Sequence, residues 1–154
     1  MIQQFFEWME GLAIFGGSAY LGPAVNLVHL LSMVLFAGAL LVVDLRLLGR
    51  GLTRQPVSEI ARDAQPWLVA GLLMLTLTGI PAMMATATRQ YENWVFWLKM
   101  GVLAAGIIFT FTVRRKVVMA DEASVAPFWR GVVGIVSITL WGVVAATARL
   151  IMLV

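Results

Sequence analysis

The chain has 154 residues, of which 61% are hydrophobic and only 12% charged. A soluble domain of that size has too little interior to hide so much apolar surface, so composition defines an integral membrane protein. A formal net charge of +3 is too small for a nucleic-acid-binding surface, and the lack of cysteine excludes disulfide frameworks, thiolate catalysis and cysteine metal sites.

Residues 3–15, QQFFEWMEGLAIF, are too polar at their start to cross a bilayer. Phe5, Met9 and Leu12 share one helical face and Glu7 and Glu10 fall largely off it. This predicts a short helix lying in the membrane interface, with Phe6 and Trp8 at headgroup depth. Two glutamates and no basic residue in Met1–Glu10 give the wrong charge for a secretory leader. Gly16, Gly17 and Gly22-Pro23 are expected to break this helix and turn the chain into the membrane.

The first span is predicted at about 21–48. Between Leu27 and Val43 it has no formal charge, and its strongly polar side chains there are His29 and Ser32. A hydrocarbon core about 30 Å thick takes roughly 20 apolar residues of helix, which this run supplies. A polar stretch, GRGLTRQPVSEIARDAQP, follows. Ser58–Ala64 is expected to make one or two surface turns. Pro66 is expected to open the second span, because a helix start leaves its missing N–H unneeded.

Span two is predicted at about 66–88. Gly79-Ile80-Pro81 should kink it, with Thr76 and Thr78 near enough to satisfy freed carbonyls. A short loop, RQYENW, carries the interface anchors Tyr91 and Trp94. Span three, about 93–118, contains Lys99 and leaves the membrane at Arg114-Arg115-Lys116. Span four is predicted at about 128–150. Small residues suited to close helix approach are Gly131, Gly134 and Ser137, the pair Gly142 and Ala146, and the pair Gly101 and Ala105.

Arg46, Arg50, Arg54 and Arg62 flank the first polar loop, and Arg114, Arg115, Lys116 and Arg130 flank the second long one. Basic loops stay in the cytoplasm, so both termini are expected on the outside, the periplasm of a bacterial inner membrane. The whole chain, 1–154, reads as one domain. Its fold class is all-α, an antiparallel four-helix membrane bundle with an N-terminal interfacial helix.

The candidate chemistry sits in the outer half. His29, the chain's one histidine, lies eight residues into span one, roughly 12 Å deep at 1.5 Å per residue. An ionisable ring at that depth is costly and marks a candidate functional site, although a bond to a nearby carbonyl or serine would also satisfy it. Lys99, six residues into span three, reaches comparable depth or snorkels to the surface. Met33 is one turn from His29, and Trp141 in span four is expected at a similar level. A tetrapyrrole needs an imidazole ligand, apolar walls and cations for its propionates, which His29, Trp141, Lys99 and Arg149 could supply. With one histidine, bis-histidine ligation needs His29 of a second copy; otherwise the iron is five-coordinate or takes Met33 as its second ligand. Copper instead needs imidazole and thioether, which His29 with Met33, Met83, Met84 or Met100 could supply. Asp44 and Arg46 are expected to pair locally or with the next loop. Arg114, Arg115 and Lys116 read as topology signals or contacts to anionic headgroups. No acid is placed in mid-membrane, and no phosphate loop, zinc motif or Ser-His-Asp set is present.

The Trp8 segment, Gly22-Pro23, His29-Leu30-Leu31, Gly38 and above all Asp44-Leu45-Arg46-Leu47-Leu48-Gly49 resemble a family of small bacterial inner-membrane proteins of unknown function. That resemblance implies the four-span fold and no activity. Two further features are similar to CopD-type copper-resistance domains and HemJ-type protoporphyrinogen oxidases. One is His29 followed by the small step Ala37-Gly38; the other is Trp97-Leu98-Lys99 in a span ending at Arg114-Arg115. In HemJ-type proteins the corresponding histidine and lysine are implicated in haem b binding. The resemblance thus implies His29 as iron ligand and Lys99 beside the cofactor. Phe36 stands where that pattern has tryptophan, and protoporphyrinogen oxidation is not read here. The leading expectation is a haem b protein passing electrons between a quinone and a periplasmic partner. Its alternatives are a CopD-like copper handler and a non-catalytic subunit or assembly factor of a homodimer or larger complex.

Overall fold

A computed structural model of the chain describes residues 2–11, 20–51, 54–121 and 123–151. Helix α1 is Ile2–Gly11, and the expected continuation to residue 15, with the turn at Gly16 and Gly17, lies outside the described residues. Four helices are long and apolar enough to cross a bilayer: α2 (Leu21–Leu47), α3 (Val57–Met84), the composite Trp94–Met119 and α7 (Pro127–Leu150). The composite consists of α5 (Trp94–Phe109), a π-helical turn (Thr110–Arg114) and α6 (Arg115–Met119). This is the all-helical four-span bundle. One end carries the two basic loops and is called the basic face; the other, with α1 and a short helix α4 (Ala87–Glu92), is the terminal face.

Several boundaries differ from the sequence reading. Gly22-Pro23 does not precede α2 but sits in its first turn, where proline forfeits no helical bond. Helix α3 begins at Val57, not Pro66, so the surface turns and the span are one continuous helix. Pro66 removes one backbone bond near the headgroup level, where water can replace it. The span ends at Met84, and the segment read as a loop folds into α4. Asn93 separates α4 from α5 and caps the latter, its Oδ1 accepting from the Val95 N–H at 2.9 Å.

The turn after α2 explains the D-L-R-L-L-G element. The Gly49 N–H bonds the Arg46 carbonyl at 3.0 Å, and the Arg50 N–H bonds the Leu45 carbonyl at 2.8 Å. These two bonds define a Schellman stop, which needs a left-handed residue at Gly49, and its φ is 71°. Within α2 the buried positions Ser32, Phe36, Leu40, Val43, Asp44 and Leu47 recur every three or four residues and form one inward stripe.

Lipid gives helices no hydrophobic reason to associate, so close packing must hold them. Gly71 supplies it between α2 and α3: a Cβ there would lie 2.9 Å from the Phe36 backbone nitrogen. Gly134 does the same between α7 and α2, against the Asp44 carbonyl and Leu47. Of the expected small-residue contacts, Gly134 and Ser137 are buried. At Gly131, Gly101 and Gly142 a Cβ would meet nothing within 4 Å among the described residues.

Toward the basic face lie two core clusters, one of Val43, Leu47, Val57, Ile60, Val118 and Val133 and the next of Phe36, Leu40 and Leu68. A separate cluster closes the terminal face, where Met9, Met83, Tyr91 and Ile151 surround Ala87 and Phe96. Between these and the terminal cluster lies a loosely packed belt. Among the described residues, α2 buries nothing before Ser32, α3 nothing between Gly71 and its end at Met84, α5 nothing between Phe96 and Gly106, and α7 nothing between Ser137 and Thr147.

Candidate functional site

His29 and Lys99 both fall within this belt. The imidazole lies against α3 at Gly79, where a Cβ would stand 3.4 Å from the ring's Cε1. Its Nδ1 is 2.8 Å from Thr78 Oγ1. The Thr78 hydroxyl has one hydrogen, and it donates that hydrogen to the Met74 carbonyl at 2.6 Å. With the hydroxyl hydrogen on that carbonyl, Oγ1 would accept from Nδ1–H and the lone pair would stand on Nε2. A second bond fixing the distal nitrogen's tautomer is the usual support of a metal-binding histidine. Ser32, the other polar group nearby, is committed to the Val28 carbonyl at 2.7 Å. Nε2 has no hydrogen-bond partner among the described residues.

Lys99 is half-buried on α5, and its charge reaches the His29 ring. Among the described residues its ammonium makes no hydrogen bond or ion pair. An intramembrane cation without a partner is costly, and such groups ordinarily serve a ligand or pathway.

The remaining expected site residues are placed less centrally. Met33 follows His29 by one turn and is 38% exposed. Trp141 stacks edge-on against Phe36, with ring centroids 4.4 Å apart, and donates its indole N–H to Thr110 Oγ1 at 3.0 Å. Phe36 is seven residues beyond His29, so Trp141 lies about 10 Å nearer the basic face than the imidazole and not beside it. Arg149 is exposed in the last turn of α7 at the terminal face. Met83 turns into the terminal cluster with Ala87 and Phe96. No group of three His, Cys, Asp or Glu side chains is assembled among the described residues.

A second polar centre lies toward the basic face, and here the sequence reading needs correction. Asp44 does not pair with Arg46. Its Oδ1 accepts from Arg114 Nε at 2.7 Å, both side chains being almost wholly buried. Arg114 Nη2 also donates to the Leu40 carbonyl at 3.2 Å, while Asp44 Oδ2 and the buried Ser137 hydroxyl have no hydrogen-bond partner among the described residues. Arg114 is therefore no mere topology signal. The π-helical turn widens the helix by one residue and puts Thr110 and Arg114 together on the interior face. Arg46 reaches the next loop as expected, its Nε donating to the Gln55 carbonyl at 2.9 Å.

Fold and site define a multi-pass helical membrane protein with one polar site in a loose belt and one buried ion pair in its tight half. Residues 5–154 match DUF6644, a family of unknown function, and the chain belongs to that family. No curated protein and no solved structure matches it.

Proposed function

We propose that this protein binds haem b within the bilayer and serves as a redox component, passing electrons between a membrane quinone and a partner outside the bilayer. The reading places it in a bacterial inner membrane with both termini in the periplasm, the side opposite its basic loops. The observation that carries it is the pairing of a free Nε2 lone pair on His29 with an uncompensated Lys99 ammonium in the belt where no helix buries a side chain.

His29 Nε2 is the iron ligand in this reading, held in orientation by Thr78. Lys99 neutralises a propionate, and Arg149 at the terminal face supplies a second cation. Met33, one turn from His29 on the same helix, or His29 of a second copy would complete the iron's ligand set. Bound haem supplies a one-electron iron couple at a depth a lipid-soluble quinone can reach. The surrounding apolar side chains keep water away and so set the potential.

Copper handling by the same histidine is less well supported, because Met83 is engaged in the terminal cluster. A purely structural role leaves Lys99 without a purpose. The test is an absorbance spectrum of the protein extracted from haem-replete membranes in mild detergent. A Soret band that shifts on reduction, with an α band appearing, is expected. A spectrum showing only protein absorbance would contradict the proposal.

A further inference from the structure

On the outer surface of the α2–α3 pair, a groove of about 560 Å³ runs from Val34 past Gly38 to Val42, facing Ile60, Ala64 and Trp67. That volume falls within the range of small-molecule sites, roughly 300–1,000 Å³. Its floor is open at Gly38, where a Cβ would meet nothing within 4 Å. Gln55 and Asp63 line its mouth at the basic face, and Arg46, one turn beyond Val42, is anchored there on the Gln55 carbonyl.

From Val34 to Arg46 is twelve residues, about 18 Å of helix. One leaflet of hydrocarbon is about 15 Å, half of the roughly 30 Å core. The groove therefore spans one leaflet and ends at headgroup level, too short to seat a complete crossing helix. At that level residues 46–63 carry four arginines, Arg46, Arg50, Arg54 and Arg62, against Glu59 and Asp63. Arg50, Arg54 and Arg62 are exposed. We infer that this groove is a binding site for one anionic phospholipid of the basic-face leaflet, its acyl chain lying over Gly38 and its headgroup among these arginines. Asp63 is the charged residue of the groove wall, and the arginines that would hold the phosphate stand beside the mouth, Arg46 on the Gln55 carbonyl and the others in the residues flanking it. The inference is independent of the haem reading, and nothing in its test involves His29.

The test uses the full chain reconstituted in phosphatidylcholine vesicles containing a minor fraction of phosphatidylglycerol, then released in mild detergent for native mass spectrometry. Wild type is expected to retain phosphatidylglycerol well above its share of the vesicle. Gly38→Leu, whose Cβ would meet nothing within 4 Å and whose side chain would occupy the groove floor, should lose retained lipid while keeping the wild-type melting temperature. The variant Arg50→Gln/Arg54→Gln should keep a bound chain but lose the anionic preference, about fivefold per arginine removed. Equal retention of both lipids by wild type, or unchanged retention in Gly38→Leu, overturns the inference. So does a dimer that Gly38→Leu dissociates without any change in bound lipid, since the groove is then covered by a second copy.

Discussion

Asp44 and Arg114 meet where neither can be solvated, so each depends on the other. Removing one partner of a buried pair strands a charge, which costs about 3–5 kcal/mol, whereas an apolar pair of similar volume is often neutral. Asp44→Ala and Arg114→Gln are each expected to lower stability by that order in denaturant unfolding from detergent. The double variant Asp44→Leu/Arg114→Met should recover most of the loss. Gly49 is a second exacting position: with its φ at 71°, Gly49→Ala should cost about 1–2 kcal/mol in the same assay. The sequence made His29 legible as a candidate because it is an isolated titratable ring in an apolar run. It hid Arg114, since an arginine in a basic triplet looks like a topology signal until the π turn aims it inward. Thr78 was visible only as a group near a kink, because its value lies in a bond to a residue forty-nine positions away.

The α2–α3 hairpin depends on glycine at position 71, where any side chain would press on the backbone of Phe36. Gly71→Ala should destabilise by about 1–3 kcal/mol, read as a lower melting temperature in detergent. Gly142→Ala meets open space and should leave that temperature unchanged. Helix α1 is tied to α4 by Glu10, whose carboxylate accepts from both the Thr88 N–H, at 3.0 Å, and the Thr88 hydroxyl. These bonds hold the Glu10 carboxyl below its ordinary value of 4.5. A group depressed on folding contributes its stabilisation above the unfolded value and loses it as pH falls through the folded one. The attachment of α1 should thus hold at neutral pH and loosen below about pH 4.5, seen as faster amide exchange in 2–11, and Glu10→Gln should loosen it at neutral pH. The four spans were legible from hydrophobic run length alone. The start of α3 was not, because Pro66 favours a helix beginning as strongly as it disfavours a helix interior, and local preference cannot choose between the two.

Across the whole molecule, packing is uneven. The half toward the basic face is closed by Gly71, Gly134, two apolar clusters and the Asp44–Arg114 pair. The other half is capped by a small cluster at its end but buries no side chain in the belt below it, where His29 and Lys99 lie. Ligand sites in helical bundles are built from side chains on facing helices, and the proposed haem would lie in the half that holds His29 and Lys99. This asymmetry could not be read from the sequence, because an apolar run does not say which of its residues meet a neighbouring helix and which meet lipid. The central claim is that His29 grips a haem supplied from outside the chain. Haem per chain, measured as the pyridine haemochrome in wild type and His29→Ala purified side by side from haem-replete membranes, tests it most directly. The account predicts haem in wild type and its loss in His29→Ala, with an intermediate content in Thr78→Val. Equal haem in wild type and His29→Ala, or none in either, would contradict it.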